Sequence, residues 1–194
     1  MPFRVFCKLI VSLFLTLLFA LPSPSAAQGL PAAEERHLEA FAGYYLTDAD
    51  VFDDALSLGG RAGYRWNRFG LEGTLSRLES DIDLPRQTGE LEVLAVDLSV
   101  NLYLNPGSRY EWSIFAGPGW ELLDSSTRFT RFDGEVREFS SSDDTFTVHV
   151  GVALRFALGE RLYLRPDLRV RGYDDDETTL YDVEGSLAVG YSFF

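Results

Sequence analysis

The sequence predicts an all-β fold: eight antiparallel strands wound up and down into a closed transmembrane barrel with a polar, charged lumen. Three observations predict it. Apolar and polar residues alternate at period two in eight successive stretches, as strands with two unlike faces do. The gaps between stretches are alternately long and short. One face is almost free of charge, and the other collects it.

Residues 1–27 read as a secretory signal peptide. Arg4 and Lys8 give a positive start, Leu9 to Leu21 an apolar run too short to span a bilayer, and Ser25-Ala26-Ala27 a small-residue cleavage site. Residues 28–36 follow as a short tail, and 37–194 as the barrel domain. Cleavage removes the only Cys (Cys7), the only Met and the only Lys, and takes the net charge from −13 to −15 with fifteen Arg against thirty carboxylates. Disulfides, zinc–thiolate sites and cysteine nucleophiles are thereby excluded. So is the basic footprint of a nucleic-acid binder.

Eight strands are expected at 37–46, 55–66, 69–80, 91–104, 110–123, 144–158, 161–173 and 180–194. The first carries Glu39 on its polar face, the second Arg61 and Arg65 before Trp66, and the third Glu72 after Phe69. In the fourth, Leu94, Val96, Leu98, Val100, Leu102 and Leu104 oppose Ala95, Asp97, Ser99, Asn101 and Tyr103. The fifth places Glu111 and Glu121 on the polar side. The sixth sets Phe146, Val148, Val150, Val152, Leu154 and Phe156 against Thr147, His149, Gly151, Ala153 and Arg155. Leu162, Leu164, Leu168 and Val170 alternate with Tyr163, Arg165, Asp167, Arg169 and Arg171 in the seventh, and the eighth carries Asp182 and Glu184. Asn67-Arg68, Asn105 to Arg109 and Gly159-Glu160 are tight-turn chemistry, which makes the flanking strands antiparallel neighbours. The other gaps, 47–54, 81–90, 124–143 and 174–179, are long, polar and acidic. Pro118 and Pro166 lie inside strands and cannot donate ladder bonds, so bulges or local distortion are expected there.

Charge decides which face meets what. The polar stripe holds Glu39, Glu72, Asp97, Glu111, Glu121, Asp167, Asp182 and Glu184, with Arg61, Arg65, Arg155, Arg161, Arg165, Arg169, Arg171 and His149. On the apolar stripe, ionisable groups fall only near the long-gap ends (Arg77, Glu79, Glu92, Asp144). In hydrocarbon every backbone polar group must pair within the protein, so a closed sheet of strands about 9–11 residues long suffices to span, apolar side out. Aromatics agree: Trp66, Phe69, Tyr110, Phe156, Phe193 and Phe194 gather at the short-turn ends, and Tyr44, Trp120, Phe146, Tyr173 and Tyr181 at the other, like two interfacial girdles.

The last strand ends Tyr191-Ser192-Phe193-Phe194, which resembles the carboxy-terminal signal that outer-membrane barrels present to their assembly machinery. Tyr64 to Gly73 looks like the second hairpin of small eight-stranded barrels of the OmpA/OmpX type, and Leu164 to Arg169 like their seventh strand. The resemblance implies a monomer among outer-membrane lipids, with the 28–36 tail on the periplasmic side.

An eight-stranded barrel has an interior only wide enough for side chains. The buried Arg and carboxylates are therefore expected to form a salt-bridge network that plugs the lumen, with no cofactor. A narrow gated pore is the alternative, and a soluble lipocalin-like binder a more distant one. Catalysis is not expected: only His37 and His149 are available, and neither a His-x-Ser pair nor a nucleophile elbow is present. Asp53-Asp54 and Asp174 to Glu177 could attract divalent cations but read as solvated loop tips. The 124–143 loop, with Phe129, Phe132, Val136 and Phe139 among charges, is the expected contact for a surface partner.

Overall fold

A computed structural model describes residues 34–47, 55–84, 87–130, 136–175 and 178–193. Its strands are β1 (Glu35–Thr47), β2 (Ala55–Trp66), β3 (Phe69–Leu84), β4 (Gln87–Tyr103), β5 (Tyr110–Thr130), β6 (Val136–Ala157), β7 (Leu162–Asp175) and β8 (Thr178–Phe193). Each pairs antiparallel with its chain neighbours, and β8 returns to β1, closing the predicted eight-stranded barrel. The signal peptide and most of the tail lie outside the described residues, as do Asp53, Asp54, Phe132, Asp176, Glu177 and Phe194.

The register fixes the barrel's girth. Glu35 pairs with Arg65, and the ladder then runs through Gly70, Asn101, Phe115, Gly151, Arg169 and Glu184 to Tyr45, ten residues along β1 from the start. With ~3.3 Å per residue and ~4.8 Å between strands, that stagger tilts the strands by about 41° and gives a backbone radius of about 8 Å. Side chains fill such a cylinder.

Alternation sorts the faces as the sequence implies. On β4, Leu98 and Val100 are 48% and 55% exposed on the outer wall, whereas Asp97 and Ser99 between and beside them are 2% and 0% exposed. On the outer wall, Tyr110 meets Phe156 edge-on at 5.5 Å and Trp120 meets Phe146 at 6.1 Å. These two pairs lie ten residues apart on both β5 and β6. At the tilt above that is about 25 Å along the axis, the height of a barrel's apolar band. Inside, aromatic rings lie against glycines of a neighbouring strand: Phe41 on Gly59, Phe115 on Gly151 and Tyr163 on Gly190. Any Cβ there would collide with the ring.

The tight turns follow their residues. Asn67 adopts φ 58°, a left-handed conformation that Asn tolerates. Asn105 ties its turn together, accepting from the Trp112 amide at 2.7 Å and donating to the Ser108 hydroxyl at 2.9 Å.

Two expectations need correction. Two of the long gaps are largely strand: β3 and β4 pair as far as Leu84 with Gln87, and β5 and β6 as far as Thr130 with Val136. Ser125 faces Ser141 and Ser126 faces Ser140 across that ribbon, so it carries no apolar stripe for sequence reading to detect. Strand β1 begins at Glu35, inside the expected tail. At the prolines the expected disturbance takes the form of a local distortion and not of a bulge. Pairing of β4 with β5 lapses between Asp97↔Gly119 and Val100↔Ala116, that of β6 with β7 between Ala153↔Asp167 and Phe156↔Leu164, and both resume in register. Each proline keeps its other ladder, Pro118 with Val148 and Pro166 with Leu187. A missing N–H opens one side without adding a residue.

The charged lumen as candidate functional site

The ions stack in three tiers. At the short-turn lip, Arg65 pairs with Glu111 at 2.7 Å and Glu35 at 3.5 Å, while Arg155 pairs with Glu35 at 2.7 Å and donates to Ser192 at 2.6 Å. Both guanidiniums lie over rings, Arg65 on Tyr103 at 4.4 Å and Arg155 on Tyr163 at 3.7 Å.

In the middle tier, Arg61 grips Asp167 with two bonds of 2.7 and 3.2 Å and reaches Glu39 at 3.3 Å and Ser186 at 2.9 Å. Arg165 donates to both oxygens of Glu39 at 3.1 Å and to Glu72, and Tyr163 donates to Glu39 at 2.8 Å. These residues come from β1, β2, β3, β7 and β8, so the bonds cross the axis. The planar, multi-donor guanidinium suits such bridging where a single ammonium would not.

The upper tier centres on Asp97, which accepts from Arg169 and, at 2.7 Å, from Arg171; Arg171 also donates to Glu121. Ser57 donates to Glu184 at 2.7 Å and Tyr45 to Asp182 at 3.2 Å. Above this tier a cavity of about 100 Å³ opens toward the long hairpins. Its floor includes Glu121, Arg171, Asp182 and Glu184, and its walls Ala55, Leu78, Leu91, Val93, Ala95 and Leu123.

Fourteen of the sixteen residues assigned to the lumen from sequence are buried. Arg155 is half-buried at the lip. Arg161 is the exception: it stands exposed in the β6–β7 turn, beyond the enclosed part of the barrel, and donates to the Tyr191 hydroxyl at 2.9 Å. Two lumenal residues escaped sequence reading. Glu35 and His37 lie within β1, and His37 meets Glu72 at 3.1 Å. Both share odd-numbered parity with Glu39, the only signal that could have found them. The apolar cavity walls were missed as well.

Two arrangements invite a chemical reading. Ser99 and His149 are hydrogen-bonded at 2.8 Å, with Asp97 at 3.7 Å from the other ring nitrogen. These are the ingredients of a nucleophilic triad. Yet Ser99 is fully buried, and the orienting carboxylate is engaged by Arg169 and Arg171 rather than by the imidazole. Ligand atoms of His37, Glu39 and Glu72 also lie within 4.8 Å of one another, a spacing a metal ion could bridge. Arg165 contacts both carboxylates and Arg61 contacts Glu39, so a cation there would face two guanidiniums.

Structural likeness runs to small outer-membrane barrels. The N-terminal barrel domain of Pseudomonas aeruginosa OprF is 19% identical, with 86% of this chain and all of that one covered and a TM-score of 0.53. For P. aeruginosa OprG the values are 14%, 86%, 98% and 0.56, and for a major outer membrane protein of Thermus thermophilus 13%, 81%, 99% and 0.57. At such identities the likeness speaks for the fold alone. No curated protein sequence matches the chain. The family described as outer membrane protein beta-barrel domain matches residues 13–193. On that match and this architecture, the chain belongs to the outer membrane protein beta-barrel domain family and lies in the outer membrane, its apolar wall against lipid.

Proposed function

We propose that the protein is a non-enzymatic, monomeric barrel with a structural or surface-interaction role, its lumen plugged by the Arg–carboxylate network. The middle tier carries this reading. Arg61 and Arg165 tie Glu39, Glu72 and Asp167 together across an interior only about 8 Å in backbone radius, leaving ions no open path. Breaking a buried pair costs about 3–5 kcal/mol, so a conformer with its pairs opened to ions would be only thinly populated. Recording from purified protein in planar bilayers tests the plug. A silent membrane is expected; reproducible single-channel steps would favour the gated pore instead.

The non-enzymatic reading is supported by the burial of Ser99, whose hydroxyl is taken up by His149 inside the wall of ion pairs. Residues 1–27 serve for export, and amino-terminal sequencing of the membrane-embedded protein should begin at Gln28. Tyr191, Phe193 and Phe194 are the assembly signal read by the barrel-insertion machinery, and the 124–143 ribbon is the surface for an external partner. Supporting the second role, Phe139 is 60% exposed there.

A further inference from the structure

The outer wall is not evenly packed. Leu38, Ala62, Gly73 and Leu98 fall in one row across β1 to β4, with the two small residues between the two leucines. In the next row toward the short turns, Arg36, Tyr64 and Leu71 stand side by side. The result is a hollow of about 630 Å³ on the lipid face, floored by Ala62 and Gly73 and edged by Leu38, Tyr64, Leu71 and Leu98. A Cβ added at Gly73 would meet nothing within 4 Å. The hollow lies on the membrane side of the Trp66 and Phe193 girdle, where the material at hand to fill it is lipid hydrocarbon.

Its short-turn edge is charged. Arg36 lines the hollow, and Glu34, two residues before it, is exposed as Arg36 is. The Tyr64 hydroxyl donates to Glu34, and Tyr64 and Phe193 flank Arg36 on the neighbouring strands. A guanidinium and a carboxylate therefore stand together at the height where lipid head groups begin. From this pair above an apolar hollow, we infer that the outer wall binds a zwitterionic glycerophospholipid whose head group ends in a primary ammonium. Arg36 takes the phosphate, for which its forked donors are suited. Glu34 takes the ammonium, and one acyl chain packs on Ala62 and Gly73. A purely anionic head group would set a negative charge against Glu34, and a quaternary ammonium has no N–H to give it. Arg109 and Arg161 are also exposed at short turns, over Tyr110 and against Tyr191, but neither lines the hollow. The site is on the outside of the wall, so it stands or falls separately from whether the lumen conducts.

Trp66, stacked on Tyr64 at 6.0 Å, is a built-in reporter. With Trp112 and Trp120 changed to Phe, its emission is followed in phosphatidylcholine vesicles as dibrominated phospholipids of three head groups are added as quenchers. Brominated phosphatidylethanolamine should quench about fivefold more effectively, at equal mole fraction, than brominated phosphatidylcholine or phosphatidylglycerol. Gly73→Leu, which fills the hollow where there is open space, should abolish the preference while the protein keeps its heat-modifiable migration on a gel; Ala62→Leu serves if Gly73→Leu does not fold. Glu34→Gln should bring phosphatidylethanolamine down to the level of phosphatidylcholine, Arg36→Gln should weaken both, and Arg109→Gln should change neither. Equal quenching by the three lipids would make the hollow part of an ordinary lipid annulus, and the inference fails. Stronger quenching by phosphatidylglycerol would remove Glu34 from the site, and a preference that survives Gly73→Leu would remove the hollow; either result overturns it.

Discussion

The middle and upper tiers of the lumen use the same residue types to different ends. In the middle, Arg165 and Arg61 each bond at least two carboxylates, and Phe41, Phe115 and Tyr163 close the space between ion pairs. In the upper tier Arg171 bridges Asp97 and Glu121, and serine, alanine and leucine take the places that rings hold below. One region is sealed by rings packed between its ion pairs, and the other is left hollow above them. Burying ions is therefore not one strategy: what packs beside the pairs differs from tier to tier.

Mutations can break this contrast. Arg165→Met in the middle should cost about 3–5 kcal/mol, because Glu39 and Glu72 would stay buried with too little positive charge; urea unfolding in micelles reads it. The contrast also presumes that ions face the axis. Leu98→Arg, one residue from Asp97 but on the outer wall, should cost about 2–4 kcal/mol in a bilayer, and unimpaired insertion would mean the faces are reversed. Packing density separates the tiers next. Gly190→Val drives a methyl into the Tyr163 ring and should cost about 1–3 kcal/mol, whereas Ala95→Val beside the cavity should cost under about 0.5 kcal/mol; equal losses would deny that the upper tier is looser.

Much of the barrel was legible in the sequence because membrane strands obey two strict rules, alternation and backbone pairing. Leu94 to Leu104 reveals a face, and Asn67-Arg68 reveals a turn. Legibility ends where lipid ends. Above the girdle, Asp124 pairs with Ser142 and Ser125 with Ser141, and no apolar stripe is required of a ribbon wetted on both faces. The polar parity that marked Asp97 and Glu121 as inward also misled at Arg161, since parity holds only while flanking strands enclose the residue. The Ser99–His149 contact joins β4 to β6 across 50 residues of chain, and no local pattern announces it. The cavity was hidden for a related reason: Leu78, Leu91 and Ala95 are ordinary residues until the register sets them around one hollow.

The ribbon has a last consequence. Strand β6 pairs with β5 from Val136 onward, but its ladder with β7 begins only at Thr147. For about ten residues β6 therefore has no strand paired on that flank among the described residues, the kind of template on which another chain can extend a sheet. Glu138, Asp143 and Asp144 stand exposed along it. Two copies approaching flank to flank would meet like charge with like, so the molecule can raise a stiff mast above the membrane and still resist stacking with itself.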